Sequence, residues 1–354
     1  MDYMVLDKDD RLRFSALALF KKYGYDRYRT AKFESYEVYR RNKDYIGDES
    51  IVTFTSAEGK LMALRPDVTL GIVNNLTEGA RKKLCYDENV FRRDKRGEYR
   101  EIRQTGVENI GALDAYSEYE TVSLAVKAME LIGEEYVLTV GHMDVVEALL
   151  NEVELCEADR AKALEYIVAK ATHELKKLVG EKGKTLIELV SIEGEWQTAL
   201  ERAKKIIGKR AGKAMTELAS LMNALESSGL DKRVKIDFSL ISDYRYYNGI
   251  VFRGFVRTLP YAVLLGGRYD NMMKRLGKGD SALGFALDFD ALAGLYEKET
   301  GYDALVVYGN ASSETVAKKV DELVKQGKRV FTVQSDDGKI KATEKIVLSE
   351  AQND

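Results

Sequence analysis

The residues best suited to chemistry are concentrated in one stretch, residues 86–111, YDENVFRRDKRGEYREIRQTGVENIG. An apolar run ends in Arg92, a charged turn containing Gly97 follows, and alternation continues through Ile102, Gln104, Gly106 and Glu108. This pattern predicts two antiparallel strands joined by a short basic loop. Arg92, Arg93, Lys95, Arg96, Arg100 and Arg103 gather positive charge around the turn, which suits an anion such as a phosphate. Gln104 and Glu108, further along, suit a small polar cationic ligand. A second polar group lies at Asp67 and Thr69. Pro66, one of two prolines in the chain, fixes φ and holds Arg65 extended, so both side chains project from a defined bend. Taken alone, that bend reads as a strand-to-helix turn with Asp67 or Thr69 as its N-cap.

Composition narrows what these groups can serve. A chain of 354 residues with 45% hydrophobic and 32% charged residues has ample material for two or three globular domains. A net charge of −3 argues against a broad nucleic-acid surface, although a local basic loop remains compatible with a nucleotide or an acidic partner. Two isolated cysteines and two histidines predict neither a structural metal nor a disulfide, and no cofactor is expected. The charged N-terminus lacks the apolar core of a signal peptide, and no apolar run is long enough to span a membrane, so a cytoplasmic protein is expected.

The elements that would position these groups follow from period and punctuation. Residues 8–23 read as an amphipathic helix stopped by Gly24, and residues 49–69 as two strands around the turn Ala57-Glu58-Gly59-Lys60. After the basic hairpin come a helix in SEYETVSLAVKAMELIG and a short strand, EYVLTVGH. Residues 144–230 hold no proline and carry apolar residues at helical spacing, which predicts an all-helical insertion. Strand signals return in RVKIDFSLI, YYNGIVFRGFV and LPYAVLLGGRYD, and SALGFALDFDAL reads as a buried strand entering a helix. Beyond Tyr302 a strand, a helix over 314–326 and a second strand predict a small, incomplete βαβ module. Antiparallel strands with segregated helices give an α+β class. No G-x-G-x-x-G fingerprint or complete G-x-x-x-x-G-K-[ST] loop appears, so Rossmann and P-loop readings fall away.

Four stretches in order carry a resemblance: LRPDVT (64–69), FRRDKRGEYREIRQTGVENIG (91–111), RYYNGIVF (245–252) and GGRYDNM (266–272). Together they resemble the catalytic domain of class II aminoacyl-tRNA synthetases, in the histidyl-tRNA synthetase branch. The resemblance implies a class II synthetase-like antiparallel sheet flanked by helices, built from residues 1–143 and 231–298. The helical insertion would span 144–230, and the C-terminal α/β module 303–354. It implies L-histidine as ligand: Asp67, Thr69 and Gln104 would take the α-amino group, Glu108 and Tyr247 the imidazole, and Tyr246 would line the pocket.

The departures from that family concern its phosphate chemistry. Ala291 stands where the resemblance expects the motif 3 arginine, Ser242 where it expects a second arginine, and Asp288 where it expects a glycine beside the adenine. Arg92 alone survives as an anion-binding candidate. Losing one such donor costs about 10²–10³ in rate. No catalytic residue is therefore assigned. The pattern is similar to the catalytically silent paralogues of the synthetase, the ATP phosphoribosyltransferase regulatory subunits of the first step of histidine biosynthesis. That resemblance implies a short-form ATP phosphoribosyltransferase catalytic subunit as partner, a homodimer within a hetero-oligomer, activation of that partner and feedback inhibition by histidine. It implies no tRNA partner. A divergent histidyl-tRNA synthetase and a stand-alone amino-acid sensor or interaction module remain open as alternatives.

Overall fold

The computed structural model describes residues 7–42, 50–77, 79, 81–94, 96–241, 246–295 and 301–348, and the chain divides into two compact units, Met1–Tyr296 and Glu297–Asp354. Ser242 and Lys95 lie outside the described residues. Helix α1 (Lys8–Lys22) buries Leu12, Ala16, Leu17 and Phe20 and ends at Gly24, whose φ of +82° favours glycine. The two-residue strand β1 (Asp26–Arg27) follows. A small antiparallel sheet of order β2-β4-β3 comes next, from β2 (Phe33–Ser35), β3 (Thr53–Thr55) and β4 (Leu61–Leu64), with α2 (Tyr36–Arg40) after β2. Immediately beyond Pro66 the chain enters α3 (Val68–Asn74).

The basic hairpin forms as its alternation implies. Strands β5 (Lys82–Arg93) and β6 (Tyr99–Gly111) pair over twelve positions, from Lys82 opposite Ile110 to Arg93 opposite Tyr99. Asp94 closes the turn by accepting the amide N–H groups of Arg96 and Glu98, and Gly97 takes the positive φ. Helix α4 (Ala115–Glu130), capped by Asp114, and strand β7 (Tyr136–His142) follow. The insertion holds α5 (Met143–Glu152), α6 (Glu157–Val168), α7 (Thr172–Val179), α8 (Lys184–Val190), α9 (Trp196–Ile207) and α10 (Gly212–Ser227). It is not wholly helical: β8 (Glu193–Glu195) precedes α9 and joins the main sheet, too short for a period-2 signal to register. The unit ends with β9 (Val234–Asp237), β10 (Ile250–Val256), β11 (Ala262–Arg268), α11 (Asp270–Arg275), β12 (Ser281–Asp288) and α12 (Phe289–Leu292).

The main sheet has nine strands in the order β1-β5-β6-β12-β11-β10-β7-β9-β8, antiparallel except at β1/β5 and β7/β9. Its two faces are set by register. The row Cys85, Val107, Phe285, Gly266, Phe252, Val140 and Ile236 runs across seven strands. Its apolar side chains enter the core with the buried residues of α1 and α4, each large one contributing roughly 1.5–3 kcal/mol. Gly266 has no side chain because a Cβ there would stand 2.5 Å from the Phe252 ring. The adjacent row, on the opposite face, is Tyr86, Gly106, Ala286, Leu265, Arg253, Thr139 and Lys235. That face carries the polar groups.

The second unit is a parallel sheet, β14-β13-β15, of β13 (Tyr302–Val307), β14 (Val330–Val333) and β15 (Ala342–Val347), with α13 (Ser313–Lys325) after β13. The βαβ reading omitted β15, whose sequence ATEKIV is too charged to stand out as a strand.

The least expected core residue is Arg65, fully buried in the LRPDVT segment. Its guanidinium donates to the carbonyls of Thr30, Ala31 and Asn89 and to Glu88, so it fixes the start of α3 to β5 and to the chain after β1. Arg65→Met is expected to lower the unfolding free energy of the first unit by about 1–3 kcal/mol, because it strands three carbonyls and leaves the part-buried Glu88 carboxylate unpaired. Urea denaturation followed by circular dichroism measures this, and a change below about 1 kcal/mol would remove Arg65 from that role.

Candidate functional site

One cavity of about 250 Å³ gathers every site residue expected from sequence: Asp67, Thr69, Arg92, Gln104, Glu108, Tyr246 and Tyr247. Tyr86 and Tyr269 also line it and were not singled out in the sequence. The volume lies below the roughly 300–1,000 Å³ of drug-sized ligand sites, and suits a small metabolite.

The centre of the cavity is Glu108, only 1% exposed. Its Oε1 accepts from the Thr69 hydroxyl at 2.6 Å, and its Oε2 accepts from the Tyr269 hydroxyl at 2.6 Å. The row through Glu108 explains how a carboxyl fits there: its neighbours across the sheet are Gly284, Gly267, Val251 and Gly141. A Cβ at Gly284 would stand 1.9 Å from Glu108 Oε2, and one at Gly267 would stand 2.6 Å from the Tyr247 ring. The missing side chains form a trench for the carboxyl and the ring. Gly106 does the same for Tyr86, directly opposite it, whose hydroxyl would lie 2.7 Å from a Cβ there.

Burial pushes the Glu108 carboxyl up to about 8; the hydrogen bonds from Thr69 and Tyr269 oppose this shift, and the Asp67 carboxylate adds to it. Burial also raises the phenols of Tyr86, Tyr246, Tyr247 and Tyr269, with nearby carboxylates adding to each. These tyrosines are therefore neutral hydroxyls at physiological pH. The Tyr246 ring lies 4.6 Å from that of Tyr247 and 6.2 Å from that of Tyr269, forming an aromatic wall.

Asp67 has two tasks. Its Oδ1 accepts the Leu70 amide N–H at 2.7 Å as the N-cap of α3, the plain reading its position allowed, while its Oδ2 lies 3.6 Å from the Arg92 guanidinium. Arg92 in turn donates Nε to the Pro66 carbonyl at 2.7 Å. The other arginines of the hairpin do not converge here. Arg103 points to the opposite face and pairs with buried Asp87 at 3.1 Å, and Arg93 donates to the Gly97 carbonyl at 3.3 Å. Asp288 caps α12 by accepting the Ala291 amide at 3.0 Å, and the Ala291 side chain packs against the core. Arg92 is the only cation among the described lining residues.

The sheet, the helix order and the acceptor-rich cavity define a class II aminoacyl-tRNA synthetase-like domain. The family model described as "Histidyl-tRNA synthetase" matches residues 5–292. The ATP phosphoribosyltransferase regulatory subunit of Caldanaerobacter subterraneus subsp. tengcongensis is 30% identical over 329 residues, covering 87% of this chain and 86% of its own. The chain belongs to the histidyl-tRNA synthetase family and, within it, to the ATP phosphoribosyltransferase regulatory subunits. Two solved structures share its fold. The ATP phosphoribosyltransferase regulatory subunit/histidyl-tRNA synthetase from Bacillus halodurans C has a TM-score of 0.80 at 23% identity, covering 97% of this chain and 94% of that one. The ATP phosphoribosyl transferase (HisG:HisZ) complex from Thermotoga maritima has a TM-score of 0.64 at 19% identity, covering 79% and 97%. As such a subunit the chain is the non-catalytic partner in a transferase of histidine biosynthesis.

Glu108 makes the stability of the chain pH-dependent with a defined sign. Its folded-state value near 8 lies above the ordinary 4.5, so its ionisation opposes folding. The stability it permits is complete below about pH 4.5, is lost progressively as pH rises towards 8, and is constant above that. Glu108→Gln removes the ionisation, so the variant should gain stability relative to the parent between pH 5 and 8, at about 1.36 kcal/mol per unit of displaced pKa. Paired urea titrations at pH 5, 6, 7 and 8 measure this difference. Parallel curves would place the ionisation elsewhere.

Proposed function

We propose that the cavity binds free L-histidine and that its occupancy sets the activity of a short catalytic ATP phosphoribosyltransferase subunit, which the chain activates when empty and restrains when filled. The observation that carries this reading is the buried Glu108, fixed by two hydroxyl donors beside a glycine trench, with the more exposed Asp67 lining the same cavity. Glu108 and Tyr247 would hold the two imidazole nitrogens. Asp67, Thr69 and Gln104 would take the α-ammonium group, Tyr246 would cover the ring, and Arg92 would face the α-carboxylate. A homodimer within a hetero-oligomer, in the cytoplasm and without tRNA, is the assembly this reading carries.

A site of this kind binds without activating. Formation of an aminoacyl adenylate concentrates negative charge at the α-phosphate, and Arg92, the only cation among the described lining residues, is held by Pro66 and Asp67. Binding energy is then available for shifting an equilibrium between arrangements of a partner, by as much as histidine prefers one arrangement to the other.

Proton bookkeeping gives the reading a distinctive test. An imidazole with pKa near 6.5 and a Glu108 carboxyl near 8 together hold one proton between those values. Histidine enters in that window without net proton exchange, takes up one proton at higher pH and releases one at lower pH. Affinity should therefore peak between about pH 6.5 and 8 and fall on both sides, up to about tenfold per unit. Calorimetry in buffers of different ionisation enthalpy reads the proton count. Glu108→Gln should lose the fall on the alkaline side, and Glu108→Ala should weaken binding by about 1–3 kcal/mol. Equal affinity for histidine, alanine and lysine would sink the assignment.

The regulatory half is tested with the partner present. Adding the chain to the short catalytic subunit should raise its rate, and histidine should suppress the activated complex. Gln104→Ala or Tyr247→Phe should raise the histidine concentration needed for inhibition by about tenfold while activation persists. Substitutions that abolish activation but leave inhibition of the residual rate unchanged would make the cavity an assembly element.

A further inference from the structure

A second cavity, of about 470 Å³, opens on the same face of the main sheet and takes no part in the site described above. The polar row across the sheet joins the two. Leu265 lines the first cavity; its cross-strand partner Arg253 lines the second, followed by Thr139 and Lys235 on the next two strands. Lys170, beyond the end of α6, and Glu193 and Gly194 of β8 form one wall. Val137, Leu240 and Phe255 supply apolar surface.

The charges in this cavity are unequally satisfied. Lys170 sits between Glu193 and Asp237, 3.1 Å from the latter, and Lys235 lies 3.6 Å from Glu195. Arg253 has no carboxylate at ion-pair distance among the described residues. Its Nη2 donates to the Ile241 carbonyl at 3.3 Å, and its Nε, shielded from solvent, has no hydrogen-bond partner among the described residues. A guanidinium presents five donors in a planar fork matched to the oxygens of a carboxylate or phosphate, and here most of that fork is unused. Burial presses against its charge, which an anion beside it would relieve.

We propose that this cavity is a second ligand site, holding a small molecule by an anionic head, a phosphate monoester or a carboxylate, on the Arg253 fork, with its body against Val137, Leu240 and Phe255. Thr139 adds a hydroxyl that can donate to the head or to the body, while the Ser239 hydroxyl already donates to Asp237. The volume falls in the range of roughly 300–1,000 Å³ that small-molecule sites occupy. The site does not depend on histidine binding in the first cavity, and its test omits histidine.

The chain supplies its own reporter. Its single tryptophan, Trp196, follows β8 directly, two residues beyond Gly194 in the cavity wall. Intrinsic fluorescence of the full chain is titrated with inorganic phosphate, ribose 5-phosphate and succinate at constant ionic strength, with chloride as control. A saturable change with phosphate or succinate, absent with chloride, is the expected result. Tighter binding of ribose 5-phosphate identifies a phosphate ester, and tighter binding of succinate identifies a carboxylate. Arg253→Gln should weaken it by about tenfold or more, and Lys235→Ala on the exposed rim by a factor of about two to three. Should Arg253→Gln fail to fold by circular dichroism, Arg253→Lys, which keeps the charge and loses the fork, should still weaken binding several-fold. A response that does not saturate, that chloride reproduces, or that these variants leave unchanged overturns the proposal.

Discussion

A carboxyl group taken out of water constrains the whole first unit. Glu108 lies on a strand of the main sheet with almost no solvent contact, and a carboxylate in such a place is tolerated only when donors replace its lost water. The donors come from far apart in the chain: Thr69 from the first turn of α3, and Tyr269 from the residue after β11. Room for the carboxyl comes from a third place, Gly284 on β12. Each must arrive within a few tenths of an ångström, so α3 has to be fixed against the hairpin. Arg65 does this, with four acceptors on two other segments, and Pro66 sets the bend that carries Asp67 and Thr69 inward. The LRPDVT motif is thus a positioning device, with one residue anchoring, one bending, and two facing the cavity.

The sheet does the remaining work by alternation. Successive positions on β6 send Val107 to the core and Gln104, Gly106 and Glu108 to the cavity, and the same division runs across seven strands. Antiparallel sheets readily carry one packed and one solvated face. Here the second face is only partly solvated, because Leu84, Tyr86 and Ile110 pack on it in a second core with residues of α3 and α11. Glycines in the Glu108 row lower the surface locally to form the first cavity, while β8 and the end of α6 raise a wall over β7, β9 and β10 to form the second. A short strand inside an otherwise helical insertion therefore has a definite role: it extends the sheet at its edge and frames a cavity.

Much of this was legible in the sequence, for reasons of period and punctuation. The hairpin was readable because twelve paired positions carry alternation around an Asp-x-x-Gly turn. Arg92, Gln104 and Glu108, and separately Asp67 and Thr69, were readable as polar groups from their own chemistry; that they share one cavity with Tyr246 and Tyr247 was readable only through the resemblance, since nothing in their spacing brings residues 67, 104 and 247 together. Tyr86 had a local signal that went unused: it stands opposite Gly106, and a glycine facing a tyrosine across a strand pair marks room made for a ring. Tyr269 lay inside the quoted GGRYDNM stretch. The role of Arg65 had no such signal, because a buried arginine is recognised only from carbonyls that converge from distant segments. Strands β8 and β15 were missed for the opposite reason, being short or charged and defined by pairing partners rather than by their own pattern.

The charges of the hairpin explain why a synthetase-like frame can bind without catalysing. Counted in the sequence, six basic residues surround the turn and look like a phosphate clamp. In space, three of the six are already engaged: Arg103 pairs with Asp87 on the far face, Arg93 folds back on its own turn, and Arg92 is drawn to Pro66 and Asp67. Asp288 and Ala291 are absorbed into capping and packing at α12. A transition state that gathers negative charge in this cavity would have to take Arg92 away from its existing partners, and preorganised donors are what such chemistry requires. The acceptor side shows the reverse. Glu108 is held by hydroxyls that can reorient, and its raised pKa keeps a proton within reach of an incoming base. Arg92 is held by backbone and Asp67, while the Glu108 carboxyl faces an open cavity, an asymmetry better matched to a small cationic or proton-sharing molecule than to a phosphoryl-activated one.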